Sequence, residues 1–552
     1  MSALAILETA RDAVIAGDSA AAAALLQALV NEAPQLHDAR YGLASALLAS
    51  GQADAAAATM DDARLLHAAA IMRANGVDLA RCRSDAAYAA MIGSKFYAAK
   101  HVAVASVAFS LAVAAGYTDR PGLLSYGLSL QHQGRAEEAA QVFAAVTEMY
   151  PSASTHQFLL FSLFACDNGV ERHAAEARRW GELYGRSNDI ASALEPPEGR
   201  RIRLGYVSPS FYGSQVRQFL QPMLEGHDQS AFEVFAYAAK DEAERCPPGV
   251  VARAIGHLPD SQAAALIRND GIDILIDCWG HNAGSRLTLF ARRPAPIQVS
   301  WLNYQQTTGV DAVDYVMCAD SVDQPGMDAL FTEEIVRLGV TSAPFRPDVG
   351  GVSPAPALRN GYVTFGSFLN PTKLSAETIA GWARVLAGRP GSKLVLKYGY
   401  FADPVLQSVT AARFAGHGVD PRRIEFRGHT TGDAYEAEFA DIDLALDASP
   451  CPGGTTSCEA LSRGVPVLTL AGPTYYSRIG VQVVAGAGLA DLVATDWDDY
   501  VARAIAVSET PSGLQALRER AQEGFAQADY RDEPAVIGRI EDAYREMISR
   551  RA

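Results

Sequence analysis

The chain has 552 residues, 49% of them hydrophobic and 20% charged, and a formal net charge of −16. That length exceeds what one hydrophobic core supports, so two or three domains are expected. The acidic balance excludes non-specific nucleic-acid binding, which needs a basic face, and no apolar run reaches the length of a membrane span.

Chain order begins with an alanine-rich, helix-periodic region spanning roughly the first third of the sequence. Gly17 recurs as Gly51, and Gly134 as Gly169, both at the tetratricopeptide period of about 34 residues. Each precedes a stretch of small residues, and Pro34 and Pro151 follow Gly17 and Gly134 at half that interval. This spacing predicts four or five tetratricopeptide-type helix pairs over 1–192, degenerate between 69 and 120; a non-repeating helical bundle is the alternative. EPPEGRR (195–201) marks a boundary. Beyond it, apolar runs alternate with helical stretches: 202–207, 232–238, 273–280, 297–302 and 314–319, then 361–368, 393–399, 423–428, 443–449 and 466–472. Short apolar strands separated by helices imply parallel sheets covered on both faces. Two such sets predict two doubly wound lobes, 200–350 and 358–530, with ligands held beyond the strand ends in the cleft between them. Residues 531–552 read as an amphipathic helix able to pack back on the lobes.

Two turns carry candidate chemistry. In SPCPGGTTSCEALSRG (449–464) a strand ends, glycines turn, and a helix starts with Thr455 or Thr456 as its cap. The amides of Gly453, Gly454, Thr455 and Thr456 would then face one spot, where the helix dipole favours a phosphate. Glu459, one turn in, could accept hydrogen bonds from a ribose. Read alone, the stretch fits an ordinary capped joint as well. In FGSFLNPTKLS (365–375), Asn370 and Lys373 follow a strand; Lys373 could stabilise a departing diphosphate or lie solvated at the surface. Neither a Walker loop nor a Rossmann fingerprint occurs. The seven cysteines are scattered without a CxxC pair, and MSALAILETARDAV lacks the basic start of a secretory leader. A cytoplasmic setting is therefore expected.

These stretches resemble the O-linked N-acetylglucosamine transferase and SPINDLY family. FGSFLNPTK and GGTTSCEALSRGVPVLTLAG are similar to its nucleotide-binding segments. FARRPAPIQVSWLNYQQTTG (290–309), RIRLGYVSPSF and DILIDCWGHN match others in order. The resemblance covers 200–510 and implies a two-lobed α/β GT-B fold behind a helical repeat domain. It implies sugar transfer from a nucleotide-sugar donor to Ser or Thr of a protein, with no metal and no other cofactor. By the same resemblance Lys373 and Asn370 would serve the pyrophosphate, Gly453, Gly454, Thr455 and Thr456 the phosphates, and Glu459 the ribose.

The sequence departs from the family at the sugar end. Ser214 stands where the family has an active-site histidine, with Arg217 nearby. The loop holding Tyr304, LNYQQTTG, loses a glycine and a proline. His281 then becomes a candidate proton acceptor, alongside the donor phosphate or a purely structural role. Ser214, Arg217 and Tyr304 are assigned to the sugar pocket, and Arg217 would suit an acidic nonulosonate donor. The repeats would hold the protein acceptor, with flagellin expected by likeness to bacterial flagellin-modifying transferases. Alternatives are N-acetylglucosamine or fucose transfer to other proteins, transfer to a glycan or small molecule, and a repeat adaptor with a decayed transferase domain.

Overall fold

Alternating apolar runs bury both faces only if helices cover them, and the chain does this twice. A computed structural model describes residues 2–166, 169–187, 199–213, 216–322, 324–347 and 353–551. The first sheet contains β1 (Ile202–Val207), β2 (Phe232–Ala238), β3 (Val250–Ala254), β4 (Ile274–Asp277), β5 (Ile297–Ser300), β6 (Tyr315–Cys318) and β7 (Glu334–Arg337). Its order is β3-β2-β1-β4-β5-β6-β7, with every pairing parallel. The second contains β8 (Thr364–Ser367), β9 (Lys393–Lys397), β10 (Ile424–Arg427), β11 (Leu444–Leu446), β12 (Val467–Leu470) and β13 (Val493–Ala494). Its order, β10-β9-β8-β11-β12-β13, is parallel throughout. These are the two doubly wound lobes of a GT-B fold.

Three strands escape the apolar-run reading: β3, β7 and β13. Each lies at a sheet edge, where one side of the strand is unpaired and burial is partial. Edge strands need no continuous apolar run, so VVARA and EIVR carry no strong signal.

The N-terminal region forms eleven helices among the described residues: α1 (Ala3–Ile15), α2 (Ser19–Glu32), α3 (His37–Ala49), α4 (Ala53–Ala74), α5 (Leu79–Ser84), α6 (Ala86–Ala98), α7 (Val102–Ala114), α8 (Arg120–Gln131), α9 (Ala136–Met149), α10 (Ala153–Leu163) and α11 (Gly169–Tyr184). Apart from the short α5 they form five successive antiparallel pairs. Gly17, Gly51 and Gly134 occupy turns within pairs with φ of 87°, 79° and 75°, a region where a Cβ is costly. Gly169 has a different reason to be glycine: it opens α11, and a Cβ there would stand 2.1 Å from the Leu163 carbonyl oxygen.

The helical region shares its packing with both lobes. Apolar residues of α4, α6 and α7 are continuous with the core of the second lobe. Leu160, Ala177 and Trp180 join the core of the first lobe. The C-terminal helix Glu533–Arg551 returns to the first lobe, burying Val536, Ile540 and Tyr544 beside Tyr206 and Leu220. Among the described residues no helix is long and apolar enough to cross a membrane.

Candidate active site

Between the lobes lies a cavity of about 1300 Å³. Its floor is the turn after β11 and the helix Thr455–Ser462. Gly454, not a threonine, caps this helix, and among the described residues no side chain accepts from its first-turn amides. Helix geometry leaves those amides without intrahelical partners, and Gly454, Thr455 and Thr456 line the cavity. A helix start of this kind attracts an anion.

Gly453 corrects the expectation that four amides converge. Its N–H turns inward and donates to Asp447 Oδ1 at 2.6 Å. A Cβ at Gly453 would meet Ser457 Oγ at 2.4 Å, so packing of the turn explains this glycine. Asp447 also accepts from Thr469 Oγ1 at 2.9 Å, and burial pushes its carboxyl up to about 6. The buried carboxylate holds the shape of the turn from below.

Lys373 reaches the same turn from the neighbouring turn after β8, in the same lobe. It ends a single 3-10 turn, Pro371–Lys373, capped by Asn370, whose Oδ1 accepts from the Thr372 amide at 3.1 Å. The Lys373 ammonium donates to the Pro452 carbonyl at 2.6 Å. Asn370 Nδ2 donates to the Tyr398 hydroxyl at 3.3 Å. Lys373, Asn370, Thr455 and Thr456 therefore share one end of the cavity. One turn deeper, Glu459 Oε2 accepts from the Tyr435 hydroxyl at 2.8 Å; both residues line the cavity.

The opposite wall comes from the first lobe. Arg217 begins α12 (Arg217–Gly226) and lines the cavity, with Asn303 and Gln305 beside it. Ser214 lies outside the described residues. Tyr304 does not line the cavity. It is 3% exposed, and its hydroxyl pairs with His173 of α11. His281 is likewise displaced from the candidate chemistry. It is 1% exposed, packs edge-on to Trp180 and Tyr304, and donates Nε2–H to the Thr308 carbonyl at 2.7 Å. Burial lowers its ring to about 3, so it is neutral and sealed from any reacting hydroxyl. Sequence reading misplaces both because it cannot see α11 covering the loop 303–309.

Other lining residues belong to no motif in the sequence. Lys397 ends β9 almost fully buried, ion-paired with Glu438 and donating to the Gly428 carbonyl at 2.9 Å. A lysine closing an apolar strand, KLVLK, was the available signal. Among the described residues no group of three or more His, Cys, Asp or Glu side chains converges as a metal site requires. The arrangement can therefore hold an anion between a lysine and a helix start, and a hydroxylated group beside a buried carboxylate.

Comparison with known proteins finds similarity to sugar transferases. The profile of glycosyl transferase family 41 matches residues 151–339 and 356–530. The chain is 32% identical over 417 residues to SPINDLY of Petunia hybrida, named a probable UDP-N-acetylglucosamine–peptide N-acetylglucosaminyltransferase; the match covers 72% of this chain and 44% of the relative. It is 22% identical over 455 residues to the Caenorhabditis elegans UDP-N-acetylglucosamine–peptide N-acetylglucosaminyltransferase, covering 60% of this chain and 39% of that one. The matched part is thus less than half the length of these curated relatives. A mutant of the Thermobaculum terrenum O-GlcNAc transferase superposes with a TM-score of 0.75 at 29% identity, covering 99% of this chain and 96% of the other.

Proposed function

Because this chain belongs to glycosyl transferase family 41, we propose that it transfers a sugar from a nucleotide-sugar donor to serine or threonine hydroxyls of a protein. One observation carries the reading: the Lys373 ammonium and the open first turn of the helix 455–462 meet at one end of the interlobe cavity. Thr455, Thr456 and Gly454 hold the donor phosphates, Glu459 takes the ribose hydroxyls, and Asn370 sets the turn that presents Lys373.

In the reaction, the acceptor hydroxyl oxygen bonds to the anomeric carbon as the bond from that carbon to the phosphate oxygen breaks. Negative charge grows on the leaving phosphate, where Lys373 and the helix amides already point. With His281 sealed away, the hydroxyl proton passes to a phosphate oxygen of the donor.

The names of the relatives make UDP-N-acetylglucosamine the first donor to test. A second reading, a nonulosonate donor with flagellin as acceptor, draws its support from Arg217 on the first-lobe wall, which could pair a sugar carboxylate. The repeats would present the acceptor protein, and the setting proposed is cytoplasmic. Purified protein is incubated with each donor class and flagellin or a Ser/Thr peptide, and product is read by intact mass. Transfer should fall roughly 10²–10³-fold in Lys373→Ala with the fold unchanged. Undiminished transfer in Lys373→Ala, or no transfer from any nucleotide sugar, overturns the proposal.

A further inference from the structure

The turn between α6 and α7 breaks a rule that three other repeats keep. In three helix pairs the residue leaving the first helix is glycine at positive φ: Gly17, Gly51 and Gly134. Each of these donates its amide three residues back, to Val14, Leu48 and Gln131, and the next amide donates five back, to Ala13, Leu47 and Leu130. Between α6 and α7 the same two bonds run from Lys100 to Tyr97 and from His101 to Phe96, both at 2.9 Å. Lys100 therefore takes the left-handed position, with φ of 65°. A lysine there costs backbone energy that glycine would not. Strain retained at one turn out of four points to a use for the side chain.

That side chain lines the interlobe cavity. A Cβ added to Gly399 would stand 3.3 Å from Lys100 Nζ and 3.7 Å from His429 Cβ, so the absent side chain of Gly399 leaves room beside the ammonium. Among the described residues the ammonium makes no hydrogen bond or ion pair. The turn is also fixed in place. Asp403, from the second lobe, accepts the Ala103 amide at 2.7 Å, just beyond Lys100, and also the Val405 amide at 2.9 Å. His132 of the repeats stacks on Tyr400 with ring centroids 4.3 Å apart, and Tyr400 lines the cavity.

The place of Lys100 in the cavity follows from contacts. Glu459 touches Tyr435, and Lys397 stands 5.6 Å over the Tyr435 ring. Lys397 bonds the Gly428 carbonyl, and His429 follows, beside Gly399 and Lys100. This path joins Lys100 to the carboxylate assigned to the ribose. Resting on the donor-site reading above, we propose that Lys100 completes the nucleobase end of the site: the repeat region supplies the ammonium that donates to a carbonyl oxygen of a pyrimidine. An ammonium has three donors and no acceptor, and both uracil and cytosine offer a ring carbonyl. The helical repeats would thus be part of the donor site as well as an acceptor arm.

The test is calorimetric titration of full-length wild type, Lys100→Gly and Lys100→Met with UDP, CMP and inorganic pyrophosphate. Both variants should bind UDP or CMP about tenfold more weakly, with pyrophosphate affinity unchanged. Lys100→Gly should melt at or above the wild-type temperature, because glycine suits the turn. Unchanged pyrimidine-nucleotide affinity in both variants overturns the inference. An equal loss for pyrophosphate assigns Lys100 to the phosphates and overturns the base assignment. Failure of the wild type to bind any of the three overturns the donor-site reading beneath it.

Discussion

His281 separates a residue's chemical type from its access. Its ring is sealed between Trp180 and Tyr304 and lowered to about 3 by burial. The ordinary histidine value is about 6.5, so the unfolded chain takes up a proton that the fold refuses. The contribution of His281 to stability is whole above pH 6.5 and is lost as pH falls from 6.5 toward 3. The wild type should therefore lose about 1.4 kcal/mol per pH unit across that window relative to His281→Gln, which cannot titrate. Urea unfolding of both proteins at neutral and at mildly acidic pH checks this, and parallel curves would refute it. Transfer by His281→Gln at neutral pH should fall far less than the roughly 10²–10⁴-fold expected for loss of a general base. Lys373, by contrast, follows a strand-ending asparagine–proline turn and lines the cavity.

At the scale of elements, two helices share one cap. Asp403 accepts from Ala103 and Val104 at the start of α7, and from Val405 and Leu406 at the start of the helix 404–415. Its carboxyl is fully enclosed. Asp403→Ala leaves two helix starts unsatisfied and should cost about 1–4 kcal/mol, taking each cap at about 0.5–2 kcal/mol. Denaturant unfolding measures the loss, and a stability equal to that of the wild type would show the cap to be redundant. A second seam is backbone against backbone: a Cβ on Gly181 would stand 1.7 Å from the Gly309 carbonyl oxygen. Gly181→Ala should push α11 off the loop 303–309 and destabilise by about 1–3 kcal/mol, read as a lower melting temperature and earlier proteolysis after Tyr184. The TTG of that loop was legible as a motif. Its fit against α11 was not, because β1 to β5 separate the two glycines along the chain.

For the whole molecule, Phe164 marks where three parts meet. Its ring packs on Tyr304 of the first lobe and Tyr476 of the second, and its carbonyl accepts from the Tyr476 hydroxyl and the Cys451 thiol. With the repeat helices continuous with both cores, removing residues 1–187 would expose apolar surface on each lobe. The truncated chain should be recovered mainly as aggregate; a monodisperse, fully folded product in size-exclusion chromatography would contradict that. By itself the sequence determined the periodic features, helix pairs punctuated by glycine and ten of the strands, and it marked the glycine turn at 453–456 and Lys373 as candidates. These are local, since a strand's apolar run and a helix cap are set by neighbours in the chain. Tertiary structure alone decided which candidates reach the cavity. It turned the Gly453 amide inward, buried His281 and Tyr304 under α11, and brought Lys100 to a site in the second lobe. The repeat period reaches Lys100 when counted back from Gly134, but nothing local says what faces that turn. Such contacts join residues far apart in the chain, and burial, which sets their chemistry, exists only once the parts have packed.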